Sequence, residues 1–321
     1  MNIYDQIKTF LKNKKRILIA SHINPDGDGI GSTIALGTTL EHMGKEVVMF
    51  NRDAVPNNLA FLPGANRLVR EIPATPFDAA ILVDSATPDR AGTAFEKAVQ
   101  DVPKIAIDHH RIDNSNVDIV CIDETAASTG DVVLRILKRM HAPITPDIAL
   151  CIYCTLAVDT GFFRYSNTTE AVLRIAADLV ALGADPWMVA KNLEENYPAP
   201  RLYLLGRSLA SLHLSHDGRY AYMDVTQKML AETGANIELS DEFAGLPRTI
   251  DSVLISALFR ELPNGKIKVS LRSKEDIDVS DIAKRFDGGG HSHAAGCSIT
   301  GTLEEAKQKI EAIIHEILKD K

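Results

Sequence analysis

From the N-terminus to about Gly183, short apolar runs alternate with longer stretches whose apolar residues recur at helical spacing. That alternation predicts βαβ units around a parallel sheet. The strand runs are Arg16–Ala20, Glu46–Phe50, Ala79–Val83, 104–107 and 118–122. Residues 30–43 read as a helix stopped by Gly44, and 169–182 as a helix stopped by Gly183 with Pro186 beyond it, because glycine just past a helix and proline after it end the pattern.

The segment Asn196-Tyr-Pro-Ala-Pro200 carries two prolines inside a helical pattern, and proline lacks the amide that a helix interior needs. A boundary is expected there, with a first domain over 1–190, a linker over 191–205 and a second domain over 206–321. Beyond it the pattern changes. Tyr220–Val225 reads as a strand, and 253–261 and 267–272 alternate around Asn264-Gly265, a strong short signal for a hairpin. A glycine-rich loop at Gly288-Gly289-Gly290 precedes a strand over 295–299 and a closing helix over 303–318. The expected fold class is α/β, a parallel-sheet domain followed by a smaller mixed α/β domain.

Composition narrows the function. With 321 residues, 45% hydrophobic and 24% charged, the chain has material for two separate cores. A formal net charge of -8 argues against a protein that coats long nucleic acid, since such binders need many Lys and Arg residues to displace counterions. A nucleic-acid partner should therefore be short. The four cysteines are scattered, which is no disulfide framework and fits a reducing compartment such as the cytoplasm. The start of the chain places charged residues where a signal peptide needs an apolar run, and no stretch reaches membrane-spanning length, so no membrane partner is expected. A homodimer is allowed.

Candidate chemistry begins at His22-Ile-Asn-Pro-Asp26-Gly-Asp28-Gly-Ile-Gly31, directly after the first strand run and before a helix. In parallel α/β domains ligands bind at the carboxyl ends of the strands. Pro25 and the glycines at 27, 29 and 31 are expected to hold a tight loop from which one imidazole and two carboxylates project. Asp84 follows the third strand run, and Asp108-His109-His110 follows the fourth. Asp159 ends the apolar stretch 148–158, again where a buried element gives way to a loop. An isolated Asp at a strand end is usually a cap or turn residue, and His42, His141, His213, His216 and His315 carry no such context. Four loops delivering carboxylates and imidazoles in this order are another matter. So many carboxylates would repel one another without a cation, and Asp/His ligation without cysteine suits manganese, magnesium, iron or zinc. So many candidate ligands exceed what one catalytic metal takes from protein, which points to two, in such sites about 3.5–4 Å apart.

Asp108-His109-His110 together with His22-x3-Asp26-x-Asp28, Asp84 and Asp159 resembles the DHH phosphoesterase superfamily, and the resemblance covers nearly the whole chain. Gly288-Gly289-Gly290-His291 and Ala294-Ala295-Gly296 look like the DHH-associated domain. The compact size is similar to the branch that degrades nano-RNA and dephosphorylates 3′-phosphoadenosine 5′-phosphate. The resemblance implies two divalent cations, usually manganese. His22, Asp26 and Asp84 would hold one, and Asp28, Asp84, His109 and Asp159 the other, with Asp84 bridging. It further implies that His110 faces the scissile phosphate, that Asp108 orients the neighbouring imidazoles, and that Gly289, Gly290 and His291 meet the substrate across an interdomain cleft. Ser292-His293 departs from the basic and amide residues associated with the family there, which bears on base or phosphate preference.

Three glycines also let backbone amides approach a phosphate closely, so Gly288 joins the candidate substrate residues. Arg272 and Arg164 are further candidates, since guanidinium groups clamp phosphates bidentately. Cys151-Ile-Tyr-Cys154 has metal-site spacing but sits in an apolar run without a second ligand pair and reads as core. The resulting expectation is a two-metal hydrolase acting on short RNA or DNA oligonucleotides or small nucleotides. A cyclic-dinucleotide phosphodiesterase, an inorganic pyrophosphatase and a nucleotide-binding regulator are the rival readings.

Overall fold

The structure, a computed structural model, describes residues 2–111 and 115–319, with His291 described by its backbone alone. The chain divides into two compact units, Met1–Asn196 and Tyr197–Lys321. The first runs α1 (Ile3–Lys12), β1 (Arg16–Ala20), α2 (Gly27–His42), β2 (Glu46–Phe50), β3 (Ala79–Val83), α3 (Thr93–Ala98), β4 (Lys104–Asp108), β5 (Ile119–Ile122), α4 (Thr129–Met140), α5 (Pro146–Asp159), α6 (Glu170–Ala181) and α7 (Pro186–Glu194). Its five strands form one parallel sheet in the order β2-β1-β3-β4-β5.

Period-two alternation distributes each strand between two cores, as a parallel sheet covered on both faces requires. Ile17, Ile19, Ile81, Val83, Ile105 and Ile107 pack with the apolar faces of α2, α4 and α5. Leu18, Ala20, Ala80 and Leu82 point the other way, against Phe50, Phe95 and Val99. The apolar runs at 104–107 and 118–122 are strands with bounds shifted by one residue.

One reading of the first unit is corrected. The helix expected over 30–43 starts at Gly27, so Gly27, Gly29 and Gly31 are helical and do not shape a loop. Their lack of a side chain serves close packing. A Cβ on Gly31 would stand 2.8 Å from the Cys151 carbonyl oxygen and 2.7 Å from Thr155 Cγ2, both on α5. The apolar stretch before Asp159 is the helix α5, which makes Asp159 its last residue.

The second unit runs α8 (Ala199–Ala210), β6 (His213–Leu214), β7 (Tyr220–Val225), α9 (Gln227–Thr233), β8 (Ile255–Glu261), β9 (Lys266–Ser273), α10 (Ser280–Lys284), β10 (Gly289–His291), β11 (Ala294–Thr300) and α11 (Leu303–Lys319). The mixed sheet has the order β10-β11-β9-β8-β7-β6, with β7 and β8 parallel and the other neighbours antiparallel. Residues 191–205 hold the end of α7, a break and the first half of α8, where Pro200 falls in the opening turn, a position that tolerates proline. The Asn264-Gly265 turn joins β8 and β9, with Gly265 at φ 73°. The glycine triplet differs from an open loop, because Gly289 and Gly290 form the edge strand β10 paired to Gly296 and Ala295. A Cβ on Gly290 would lie 2.5 Å from Ala294 O, so strand approach alone demands glycine there. Among the described residues no helix is long and apolar enough to cross a membrane.

Candidate metal centre

The carboxyl ends of β1, β3 and β4 and the ends of α2, α4 and α5 converge on one cluster. His22 follows β1. Its Nδ1 bonds the Ile23 carbonyl at 2.8 Å, and a carbonyl can only accept, so Nδ1 carries a proton. That turns Nε2 toward Asp84 Oδ2 at 3.2 Å and Asp26 Oδ1 at 3.9 Å. Asp26 caps α2, its Oδ1 accepting from the amides of Asp28 and Gly29 at 3.0 Å each. This is ordinary capping chemistry, which leaves Oδ2 outside the cap. Asn51, buried beside β1, donates to Ser21 Oγ and to the His22 carbonyl, 2.9 Å in both cases.

Asp84 ends β3 in left-handed backbone at φ 55°, a conformation that costs a non-glycine residue on the order of 1 kcal/mol. Its amide donates to Ile107 O of β4 at 3.0 Å. Its carboxylate is almost fully buried; it receives His22 on Oδ2, and on Oδ1 Thr129 Oγ1 at 3.2 Å and His110 Nδ1 at 3.3 Å. Asp28 is buried in the first turn of α2 and lies at the N-terminus of α4, where Thr129 N donates to Oδ2 at 2.8 Å and Gly130 N to Oδ1 at 3.1 Å. Helix N-termini favour a carboxylate there.

Asp108 folds over its own successors. Its Oδ1 accepts from the amides of His109 and His110 at 2.7 and 3.0 Å and from His110 Nδ1 at 2.8 Å. Asp108 thus orients the ring of His110 only, a narrower role than the expected one, because the His109 ring is held by the Ala126 carbonyl, 3.3 Å from Nδ1. His109 Nε2 then stands 3.0 Å from Asp159 Oδ2 and 3.7 Å from Asp28 Oδ2.

Three ligand groups have atoms mutually within 4.8 Å: His22 with Asp26 and Asp84; Asp28 with His109 and Asp159; and Asp84 with His109 and His110. Asp84 belongs to two of them. The donors suit a divalent cation. His109 Nε2 is buried and has no hydrogen-bond partner despite its approach to Asp159, which leaves an imidazole lone pair among carboxylate oxygens. A cation between them would satisfy all three.

The charges of the metal-free cluster point the same way. Burial, followed by the Asp159 and Asp84 carboxylates, pushes Asp28 well above the usual carboxylate range. Burial and then Asp84 and Asp26 raise Asp159 likewise. Burial also opposes ionisation of Asp84, yet hydrogen bonds from His110 and His22 outweigh it and hold that carboxyl below the usual range. His22 loses some proton affinity to burial but is carried to about 9 by its bond to Asp84. His110 is carried to about 11 by Asp108 and Asp84 in the same way.

Not every candidate joins this cluster. Arg164 bonds Gly161 O at 2.5 Å and pairs with Glu194 at 3.3 Å. Arg272 sits on β9 opposite Ala294 and donates to Leu271 O at 2.9 Å. Gly288 amide bonds Ala283 O at 3.0 Å, and Gly289 and Gly290 lie in the edge strand. The side chain of His291 lies outside the described residues. His293 Nδ1 stands 3.1 Å from Ser273 Oγ. Sequence reasoning missed Asn51 and the Ser128-Thr129-Gly130 turn. The latter carried a readable signal, a serine and threonine ahead of an amphipathic run.

Residues 16–156 match the DHH family, N-terminal domain, and residues 217–320 match the DHHA1 domain. The chain belongs to the DHH family. The bifunctional oligoribonuclease and PAP phosphatase NrnA of Thermus thermophilus is 32% identical over 307 residues, 94% of this chain and 90% of that one. The protein of the same name from Bacillus subtilis is 24% identical over 288 residues, covering 88% and 89%. The crystal structure of an exopolyphosphatase-related protein from Bacteroides fragilis matches with a TM-score of 0.92 at 27% identity, covering 98% of this chain and 96% of that one.

Proposed function

We propose that the protein is a cytoplasmic, two-cation phosphoesterase that hydrolyses short oligonucleotides to mononucleotides and 3′-phosphoadenosine 5′-phosphate to AMP. The observation that carries the reading is the assembly of His22, Asp26 and Asp84 beside Asp28, His109 and Asp159, with Asp84 also grouped with His109 and His110. The relatives named as oligoribonucleases and PAP phosphatases supply the substrate class. His22, Asp26 and Asp84 would hold one divalent cation and Asp28, His109, Asp159 and Asp84 the other. Oxygen and imidazole donors without thiolate favour manganese or magnesium. When bound, the two cations would supply the Lewis acidity that activates water and offsets charge on a phosphate.

The chain's own residues complete the reaction. His110, charged by Asp108 and Asp84, offsets the negative charge that develops on the phosphate or protonates the departing oxygen. Asp108 holds that ring in place through Nδ1. Gly289, Gly290 and His291 of the second unit are proposed to contact substrate, as the family resemblance implies, and Arg272 with them, whereas the Gly288 amide is already engaged by Ala283 O at 3.0 Å. Arg164, in the loop just past Asp159, is a further candidate for a substrate phosphate, its ion pair with Glu194 at 3.3 Å lying at the surface.

The test is turnover by metal-stripped protein with manganese restored, offered 3′-phosphoadenosine 5′-phosphate, a linear RNA dinucleotide, a cyclic dinucleotide and pyrophosphate. Hydrolysis of the first two, lost in Asp84→Ala, is the expected result. Preference for the cyclic dinucleotide or pyrophosphate would replace the substrate assignment, and no turnover of any would overturn the enzymatic reading.

A further inference from the structure

Thr129 is fully buried at the first position of α4 and touches both halves of the cluster. Its amide donates to Asp28 Oδ2 at 2.8 Å, and its hydroxyl lies 3.2 Å from Asp84 Oδ1. An ionised carboxylate only accepts, so the hydroxyl is the donor. Asp28 belongs to the group with His109 and Asp159, and Asp84 to the group with His22 and Asp26. One residue therefore grips a carboxylate from each.

The surroundings leave Thr129 little room to shift. Ser128 caps α4 through the Asp131 amide at 3.1 Å and meets Thr155 Oγ1 at 3.0 Å. Gly130 packs so closely on Thr155 that a Cβ there would fall 1.9 Å from Oγ1. Asp84 Oδ2 is engaged by His22 at 3.2 Å. With Oδ1 held by Thr129 Oγ1 at 3.2 Å and faced by His110 Nδ1 at 3.3 Å, the rotation of that carboxylate is set, one oxygen toward His22 and the other toward α4 and His110.

We propose that Thr129 is a positioning residue that couples the two cation groups, its hydroxyl setting the rotation of Asp84 and its amide fixing Asp28. The proposal rests on the two-cation reading above. Groups that orient metal-facing carboxylates typically change metal affinity 10–100-fold when removed. The test is titration of the metal-stripped full-length chain with Mn2+, followed by calorimetry and by the exchange-coupled spin signal that a manganese pair gives. Thr129→Val keeps the shape and removes the hydroxyl. It is expected to bind the second Mn2+ at least about 10-fold more weakly and to lose or alter the coupled signal. Thr129→Ser, which keeps the hydroxyl, is expected to restore both. Should valine disturb folding, Thr129→Ala reports the same loss without added bulk.

Wild-type affinity and coupling in Thr129→Val, or a Thr129→Ser variant as weak as it, would overturn the proposal, since the hydroxyl would then be irrelevant. The wild-type titration separates this outcome from failure of the functional reading. Two coupled Mn2+ ions without nucleotide turnover would sink the substrate assignment and leave Thr129 in its role. A single bound Mn2+ would overturn both.

Discussion

At the residue scale the cluster contains carboxylates of two electrostatic kinds. Asp84 is held ionised by two imidazoles, whereas Asp159, half-buried among other carboxylates, resists ionisation. Neutralising them should therefore have opposite effects on the metal-free protein. Asp84→Asn, whose side chain tolerates left-handed backbone, loses charge-assisted bonds from His22 and His110 and should destabilise by about 2–3 kcal/mol. Asp159→Asn relieves repulsion and should raise the melting temperature at pH 8. Both should abolish stabilisation by Mn2+. Thermal melts with and without the ion check this, and equal effects of the two variants in the metal-free protein would contradict it.

At the element scale the centre depends on how closely α2 lies against α5. Gly31 faces the Cys151 carbonyl, and backbone cannot step aside as a flexible side chain can. Gly31→Ala should cost about 1–3 kcal/mol, the usual range for overpacking. Because Asp28 and Asp159 sit at the facing ends of these two helices, it should also weaken Mn2+ binding without removing a ligand. Chemical denaturation and Mn2+ titration of the same variant measure the two effects. Unchanged metal affinity alongside lost stability would show that helix spacing and ligand geometry are independent.

At the scale of the whole molecule these charges couple stability to pH. Folding raises the proton affinity of Asp28, Asp159, His22 and His110. For the two carboxyls the folded state binds more protons above about pH 4, their ordinary range. For the imidazoles, stability is fully present below about 6.5 and is lost as pH rises through about 9 for His22 and about 11 for His110. All four act in the same direction, so the metal-free protein should lose stability from pH 5 to pH 10. Asp84 works oppositely, and only on the acid side of the ordinary carboxylate range. Mn2+ should flatten the profile, because metal binding displaces protons and grows stronger as they leave. Melting temperatures across that range decide the point; a metal-free protein whose stability rises between pH 6 and pH 9 would refute the charge assignment.

Much of this architecture was readable from residue order alone, because it rests on local physics. Strands β1, β2, β3 and β7 coincide with their apolar runs, since period two and burial on both faces leave few other options for Val- and Ile-rich segments. The candidate ligands could be found for a related reason: parallel strands all present their carboxyl ends on one edge, so residues following separate strands become neighbours. What tertiary structure decided depends on distance along the chain. Thr129 meets Asp28 across 101 positions and Asp84 across 45, and no local pattern encodes such a meeting. The glycines after Asp26 read as loop formers, but Gly27 and Gly31 make room for α5, and Gly29 for Ser21 and Asp84. Asp108 turned to His110 because a carbonyl at Ala126 had already claimed the His109 ring. Residue type and order determined which groups could ligate. Packing determined which oxygen or nitrogen of each is left to do so, because most buried polar atoms are taken up by a nearby partner, and those that are not, such as His109 Nε2, stay available.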